Sequence, residues 1–166
     1  MSSPASDPAE LPALGFLAEL SADDRAFLAI YGKYLRPADG DTLITEGEAQ
    51  DSLYVILTGK LHIVTAASLD RPMLLAALEA GDSMGEINLF DPGTASASAV
   101  VRSAGVVWTL SRENLDACLV ADPVVGNRIL RALLGQLARR IRAMNEKLAT
   151  AEKKSSLHEF WSSPRS

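Results

Sequence analysis

The stretch GDTLITEGEAQDSLYVILTG, from Gly40 to Gly59, decides the fold. Its β-branched and apolar residues come in short bursts, Thr42 to Thr45 and Leu53 to Leu57. Each burst is bounded by turn formers: Asp39-Gly40-Asp41, Glu46-Gly47-Glu48 and Thr58-Gly59. Bursts of four or five such residues between turn signals read as strands, and none is long enough for a helix. Gly40, Gly47 and Gly59 mark the points where strands reverse, because glycine takes positive φ without a Cβ clash. These glycines read as scaffold rather than as ligand contacts.

The same rhythm continues outward from this stretch. Lys60 to Thr65, Met73 to Leu78, Ser98 to Arg102 and Val106 to Leu110 are further candidate strands. Between them lie breaks at Ser68 to Asp70, Ala80-Gly81-Asp82 and Asp91-Pro92-Gly93. Many short strands at this spacing predict a barrel or jelly roll over about residues 34–110. Before it, Ser21 reads as a helix N-cap with Asp23 and Asp24 in the first turn, and that helix runs through Phe27, Leu28 and Tyr31. After it, Ser111 caps a helix over 112–120. Asp122-Pro123 then opens a long last helix to about Ala151. The expected division is a disordered 1–10, a domain over 11–151 with C-terminal helices at 111–151, and a flexible tail over 152–166.

Bulk properties fit a soluble globular domain. Of 166 residues, 48% are hydrophobic and 22% charged, and the net charge is -5, which lacks the basic footprint of a nucleic-acid binder. The start, MSSPASDPAE, has neither a basic nor an apolar signal region, and no apolar run reaches membrane-spanning length. The single Cys118 allows no internal disulfide and fits a reducing compartment. A cytoplasmic location, no membrane and no DNA are expected.

Two further blocks join the first: Gly81-Asp-Ser-Met-Gly-Glu-Ile-Asn-Leu-Phe-Asp-Pro-Gly93, and QLARRIRAMNEKL over 136–148. Together the three resemble the cyclic-nucleotide-binding domain superfamily, and the last is similar to the central helix of catabolite activator proteins. The resemblance covers about residues 11–148. It implies a mainly β double-stranded β-helix or jelly-roll barrel with flanking helices and a long C-terminal helix. It also implies a loop, here Gly85, Glu86 and Ile87, that cradles a cyclic phosphate on backbone N–H groups. In the family, the glutamate of the Gly-Glu pair accepts from the ribose 2′-hydroxyl.

One departure stands out. Where the family carries a phosphate-pairing arginine, this chain has Ala95, Ser96, Ala97 and Ser98, with the arginine position falling on Ser96 or a neighbour. An arginine–phosphate contact contributes about 1.5–3 kcal/mol, so its loss weakens binding roughly 10- to 150-fold. The serine hydroxyls can donate to a phosphate but cannot neutralise it. On the last helix, the family's two base-contacting hydroxyl positions fall on Met144 and Asn145. Asn145 can hydrogen-bond a base edge, and Arg140 is a candidate phosphate contact.

Leu130, Leu134, Leu137, Ile141, Met144 and Leu148 recur at spacings of 4, 3, 4, 3 and 4. This is a heptad seam, and the family uses this helix to dimerise, so a homodimer is expected. The flanking Ala138, Arg140, Asn145 and Lys147 offer no opposite-charge pairs. The aromatic pair Phe160 and Trp161 in the tail is a candidate docking segment for a protein partner.

The helix-turn-helix domain of family transcription factors is not expected in the residues after Leu148. No Walker loop, nucleophile elbow or Cys/His metal cluster is present in the sequence. The carboxylates Asp82, Glu86 and Asp91 alone do not make an acid–base site, so no enzyme, cofactor or metal is expected. The resulting expectation is a regulatory module sensing a cyclic nucleotide (cAMP, cGMP or a cyclic dinucleotide) or another phosphate-bearing ligand. The alternative is a ligand-independent dimeric adaptor.

Overall fold

The structure, a computed structural model, describes residues 11–66 and 72–162, with side chains as far as Glu152. The expectations for residues 1–10, and for the side chains of Phe160 and Trp161, lie outside the described part. Two long antiparallel strands form the spine, β4 (Ser52–Thr65) and β8 (Ser98–Ser111). β1 (Lys33–Leu35) and β2 (Thr42–Ile44) pair with β8, while β5 (Met73–Leu78) and β6 (Ser83–Met84) pair with β4. β3 (Ala49–Gln50) and β7 (Gly93–Thr94) form a separate two-stranded ladder. The result is the mainly antiparallel roll that the spacing predicts.

Gly59 does something other than reverse the chain. β4 runs straight through it, as β8 runs through Gly105, so each of the two expected strand pairs is one continuous strand. Gly59 has φ 93° and sits where the β4–β8 register shifts between Thr58 and Lys60. A Cβ on Gly59 would lie 2.7 Å from the Ser103 carbonyl oxygen, and one on Gly105 would lie 2.1 Å from that of Thr58. Both positions must therefore be bare for the two backbones to cross. The irregularity also changes which side chains of β4 point inward. Ile56 faces the strand-lined core before it, whereas Leu61 and Ile63 do so after it, the change of parity that one extra residue in a strand produces.

Two apolar cores flank the spine. Ile56, Leu61, Leu78, Met84, Ala99, Val101 and Val107 fill the inside of the roll. On the other face, Leu53, Val55, Leu57, Trp108 and Leu110 pack against helices. Those helices are a 3-10 turn (Gly15–Glu19), α1 (Ala22–Ala29), α3 (Arg112–Ala121) and α4 (Pro123–Ser162); the short α2 (Glu86–Phe90) lies in the loop after β6. Cys118 is part of this helix-side core. Burial, with help from Asp122, pushes its thiol up to about 11, so it stays protonated at neutral pH and acts as a packing residue.

Helix starts follow the expected caps. The Ser21 Oγ accepts from the Asp24 N–H at 3.1 Å, and the Ser111 Oγ accepts from that of Asn114 at 3.2 Å. Asp122 Oδ1 accepts from the N–H groups of Val124 and Val125, both at 3.0 Å. α1 ends at Ala29, short of Tyr31. α4 continues beyond its expected end near Ala151 to Ser162. No glycine or proline interrupts 136–162, so the polar composition of this stretch did not stop the helix. Ile129, Ala132 and Leu133 anchor α4 in the core. From Arg139 to Glu152 every residue is exposed, so the helix leaves the body of the domain there.

Candidate functional site

Where α4 leaves the body it passes over α2, and a cavity of about 430 Å³ lies between them. Its floor is apolar: Ile44 from β2, Ile63 from β4, Leu75, Ala76 and Leu78 from β5, and Met84 from β6. One wall is the turn Gly85, Glu86, Ile87 and Asn88, and another is the loop Ala95, Ser96 and Ala97. The helix contributes Arg140, Met144 and Lys147, at spacings of four and three, which place them on one helical face.

The walls are held by specific local structure. Gly85 caps α2 with φ 85°, and a Cβ there would sit 2.1 Å from the Ser52 carbonyl oxygen. Only glycine lets α2 fold back against β4 at this point. The opposite loop is stitched to the 46–50 segment. The Ala95 N–H donates to the Glu48 carbonyl and the Gly47 N–H to that of Ala95, both at 2.8 Å. Ser98 Oγ accepts from the Glu46 N–H at 2.9 Å.

Glu86 is the polar centre of the site, and its side chain is only 2% exposed. Its Oε2 accepts from Arg140 NH1 at 2.9 Å, while Arg140 NH2 donates to the Ser83 carbonyl at 2.8 Å. Its Oε1 accepts from the Ser83 hydroxyl and, at 3.3 Å, from Gln136 Nε2. Gln136 also donates to the Ser83 hydroxyl. A carboxylate buried among apolar neighbours is tolerated only with such partners. The four side chains thus tie the α2 turn to α4 across 50 or more residues of sequence. A carboxylate has roughly four acceptor positions, and three of those of Glu86 are filled by Arg140, Ser83 and Gln136.

Among the expected contact residues, the structure brings Gly85, Glu86, Ile87, Ala95, Ser96, Ala97 and Arg140 around this one cavity. Two are placed elsewhere. Ser98 spends its hydroxyl oxygen on the Glu46 amide, and Asn145 is exposed on α4 outside the lining. Arg140, expected at a phosphate, is committed to Glu86 and the Ser83 carbonyl. Met144 lines the cavity while remaining 57% exposed. Sequence reasoning missed Ser83, Gln136, Lys147 and the apolar floor. The signal for the helix members was their shared face with Arg140.

The heptad positions divide in a similar way. Leu130 and Leu137 are half-buried against the chain's own body. Leu134, Ile141 and Leu148 are 58%, 58% and 61% exposed, an apolar stripe with one member every seven residues. Among the described residues no group of three or more His, Cys, Asp or Glu side chains is placed to hold a metal. Nor is any helix among them long and apolar enough to cross a membrane.

The sequence profile of the cyclic nucleotide-binding domain matches residues 36–122. The chain belongs to the cyclic nucleotide-binding domain family. As a cyclic nucleotide-binding domain it is 34% identical, over 125 residues, to a CRP-like cAMP-activated global transcriptional regulator of Mycobacterium tuberculosis. That match takes in 74% of this chain and 54% of the regulator, so the chain spans about half the length of the curated relatives it matches. The N-terminal domain of a transcriptional regulator from Streptomyces coelicolor superposes with a TM-score of 0.68 at 31% identity, covering 80% of this chain and 90% of that one. A cyclic nucleotide-binding domain from Methylobacillus flagellatus superposes with a TM-score of 0.73 at 28% identity, covering 80% and 74%. The mainly antiparallel roll with its long C-terminal helix is the architecture these domains share.

Proposed function

We propose that this chain is a regulatory sensor module that binds a cyclic nucleotide or a similar phosphate-bearing ligand and signals through α4. The observation that carries this reading is the cavity's construction. Its walls come from the α2 turn, the 95–97 loop and α4 together, so one ligand touches all three. A ligand that prefers one arrangement of loop and helix shifts the population toward it, whatever the order of binding and motion. The apolar floor suits a base or sugar face, and Glu86 offers an acceptor to a hydroxyl. The module acts by binding and not by catalysis.

The output is a homodimer formed along α4. Leu134, Ile141 and Leu148 make an exposed apolar stripe at heptad spacing on a helix that leaves the domain body beyond Ala138. Such a stripe is stable in water when a second helix covers it. Met144, exposed between Ile141 and Leu148 at the other position of the heptad seam, also lines the cavity, so occupancy of the cavity is felt at the interface.

Calorimetric titration with cAMP, cGMP and cyclic di-GMP tests the reading. Saturable binding of at least one is expected. No heat and no thermal shift with any of them at about 1 mM, the concentration matching a binding free energy near -4 kcal/mol, would overturn it. That outcome would favour the ligand-independent adaptor, for which the uncharged 95–97 loop is the supporting observation.

A further inference from the structure

We infer that the anion-binding element of this cavity is Lys147 on α4, in place of any residue on the 95–98 loop. The inference rests on the sensor reading above and names the residue that reads the ligand's charge. The cavity lining contains three charged residues, Glu86, Arg140 and Lys147. Glu86 and Arg140 neutralise each other across 2.9 Å, and the second arm of the guanidinium is taken by the Ser83 carbonyl. Lys147 is therefore the one cation among the described lining residues that makes no hydrogen bond or ion pair. The 95–97 loop of the same lining presents two alanines and a serine. Arg102 lies on β8 outside the lining, and Arg71 lies outside the described residues.

The placement is suited to the task. Lys147 is seven residues beyond Arg140, which puts it on the same face and about 10 Å further along the axis. Helical side chains lean toward the N-terminus, which directs the ammonium back over the cavity. Glu86 and Lys147 thus put a hydrogen-bond acceptor and a cation on two walls of one cavity. A lysine is a mobile point charge with three donors, with no preference for a planar, bidentate partner. Ligand charge is then read by the helix itself, so an anion in the cavity pulls directly on α4.

The test compares cAMP with adenosine, which lacks the phosphate, by calorimetry on the full chain in low salt and in about 0.2 M salt, where the screening length is short. In the unmodified protein cAMP should bind about tenfold tighter than adenosine, with the preference shrinking in salt. Lys147→Gln should bring the two within about twofold of each other, Lys147→Arg should keep the preference, and adding Ser96→Arg to Lys147→Gln should restore it. Lys147 is exposed, so circular dichroism should report an unchanged fold. A full preference in Lys147→Gln overturns the inference. Equal binding of cAMP and adenosine by the unmodified protein also overturns it but leaves the sensor reading standing. Binding of neither removes both.

Discussion

Arg140→Met removes one partner of the buried Glu86 pair and leaves the carboxylate in place. Breaking a buried ion pair from one side costs about 3–5 kcal/mol, because the remaining charge stays desolvated. Here the Glu86 side chain is 2% exposed but that of Arg140 is 42% exposed. Water can enter where the guanidinium was, so the loss falls below that range, at about 2–3 kcal/mol. With a urea dependence of about 2 kcal/mol per molar, the unfolding midpoint drops by about 1–1.5 M. The assay is equilibrium urea unfolding followed by both fluorescence and circular dichroism, so that coincident curves check two-state behaviour. Protein concentration is held fixed, because self-association adds a mass-action contribution. Adding Glu86→Gln to the same chain removes the orphaned charge while keeping partners for Ser83 and Gln136. The double variant should recover at least half of the loss. A midpoint shift of less than about 0.3 M, or a double variant no more stable than Arg140→Met alone, would refute the reasoning. Glu86 would then be supported by Ser83 and Gln136 without help from Arg140.

Three more expectations follow from the same structure. Hydrogen bonds from Arg128 to Asp24, at 2.6 and 2.7 Å, outweigh burial and hold the Asp24 carboxyl below its usual value. The unfolded chain therefore takes up this proton first, near pH 3.9. The contribution is complete above that pH and disappears as pH falls through the depressed folded value, so Asp24→Asn should flatten the acid limb of urea midpoints measured from about pH 5 to pH 2. Gly85→Ala places a Cβ 2.1 Å from a carbonyl oxygen at φ 85°, whereas Gly40→Ala at φ 87° meets open space. The first should cost more than about 2 kcal/mol in thermal unfolding, and the second only the 1–2 kcal/mol of a left-handed alanine. Leu134→Asp with Ile141→Asp puts two charges into the stripe on α4, and sedimentation should show the mass falling from twice 17.7 kDa to 17.7 kDa.

Much of the fold could be read from the sequence because local and global signals agreed. Ser21, Ser111 and Asp122 cap the helices they were expected to start, and Met73 to Leu78 is a strand with those limits. Gly59 was misread for a definite reason. A reversal and an irregularity within a strand make the same demand for positive φ, and the distinction lies in what faces the glycine, namely Ser103 and Gly105. The site was legible in its loop residues, whose Gly85-Glu86 motif is contiguous. Its helix half was not. Gln136 and Lys147 look like ordinary solvated positions on a polar helix, and only the folded chain brings Gln136 to Glu86, 50 residues away. The same applies to the end of α4, where Ser-rich composition suggested a loose tail although no glycine or proline occurs between Gln136 and Ser162.

The length of α4 beyond Arg140 has a mechanical consequence. From Arg140 to Ser162 the helix extends 22 residues, or about 33 Å of rigid rod. With its fulcrum at the Glu86 pair, a tilt of about 10° would swing the far end by about 6 Å, the size of a side chain. A displacement at the cavity too small to alter the roll is thereby geared up at the tip, and the stiffness of an unbroken α-helix transmits it.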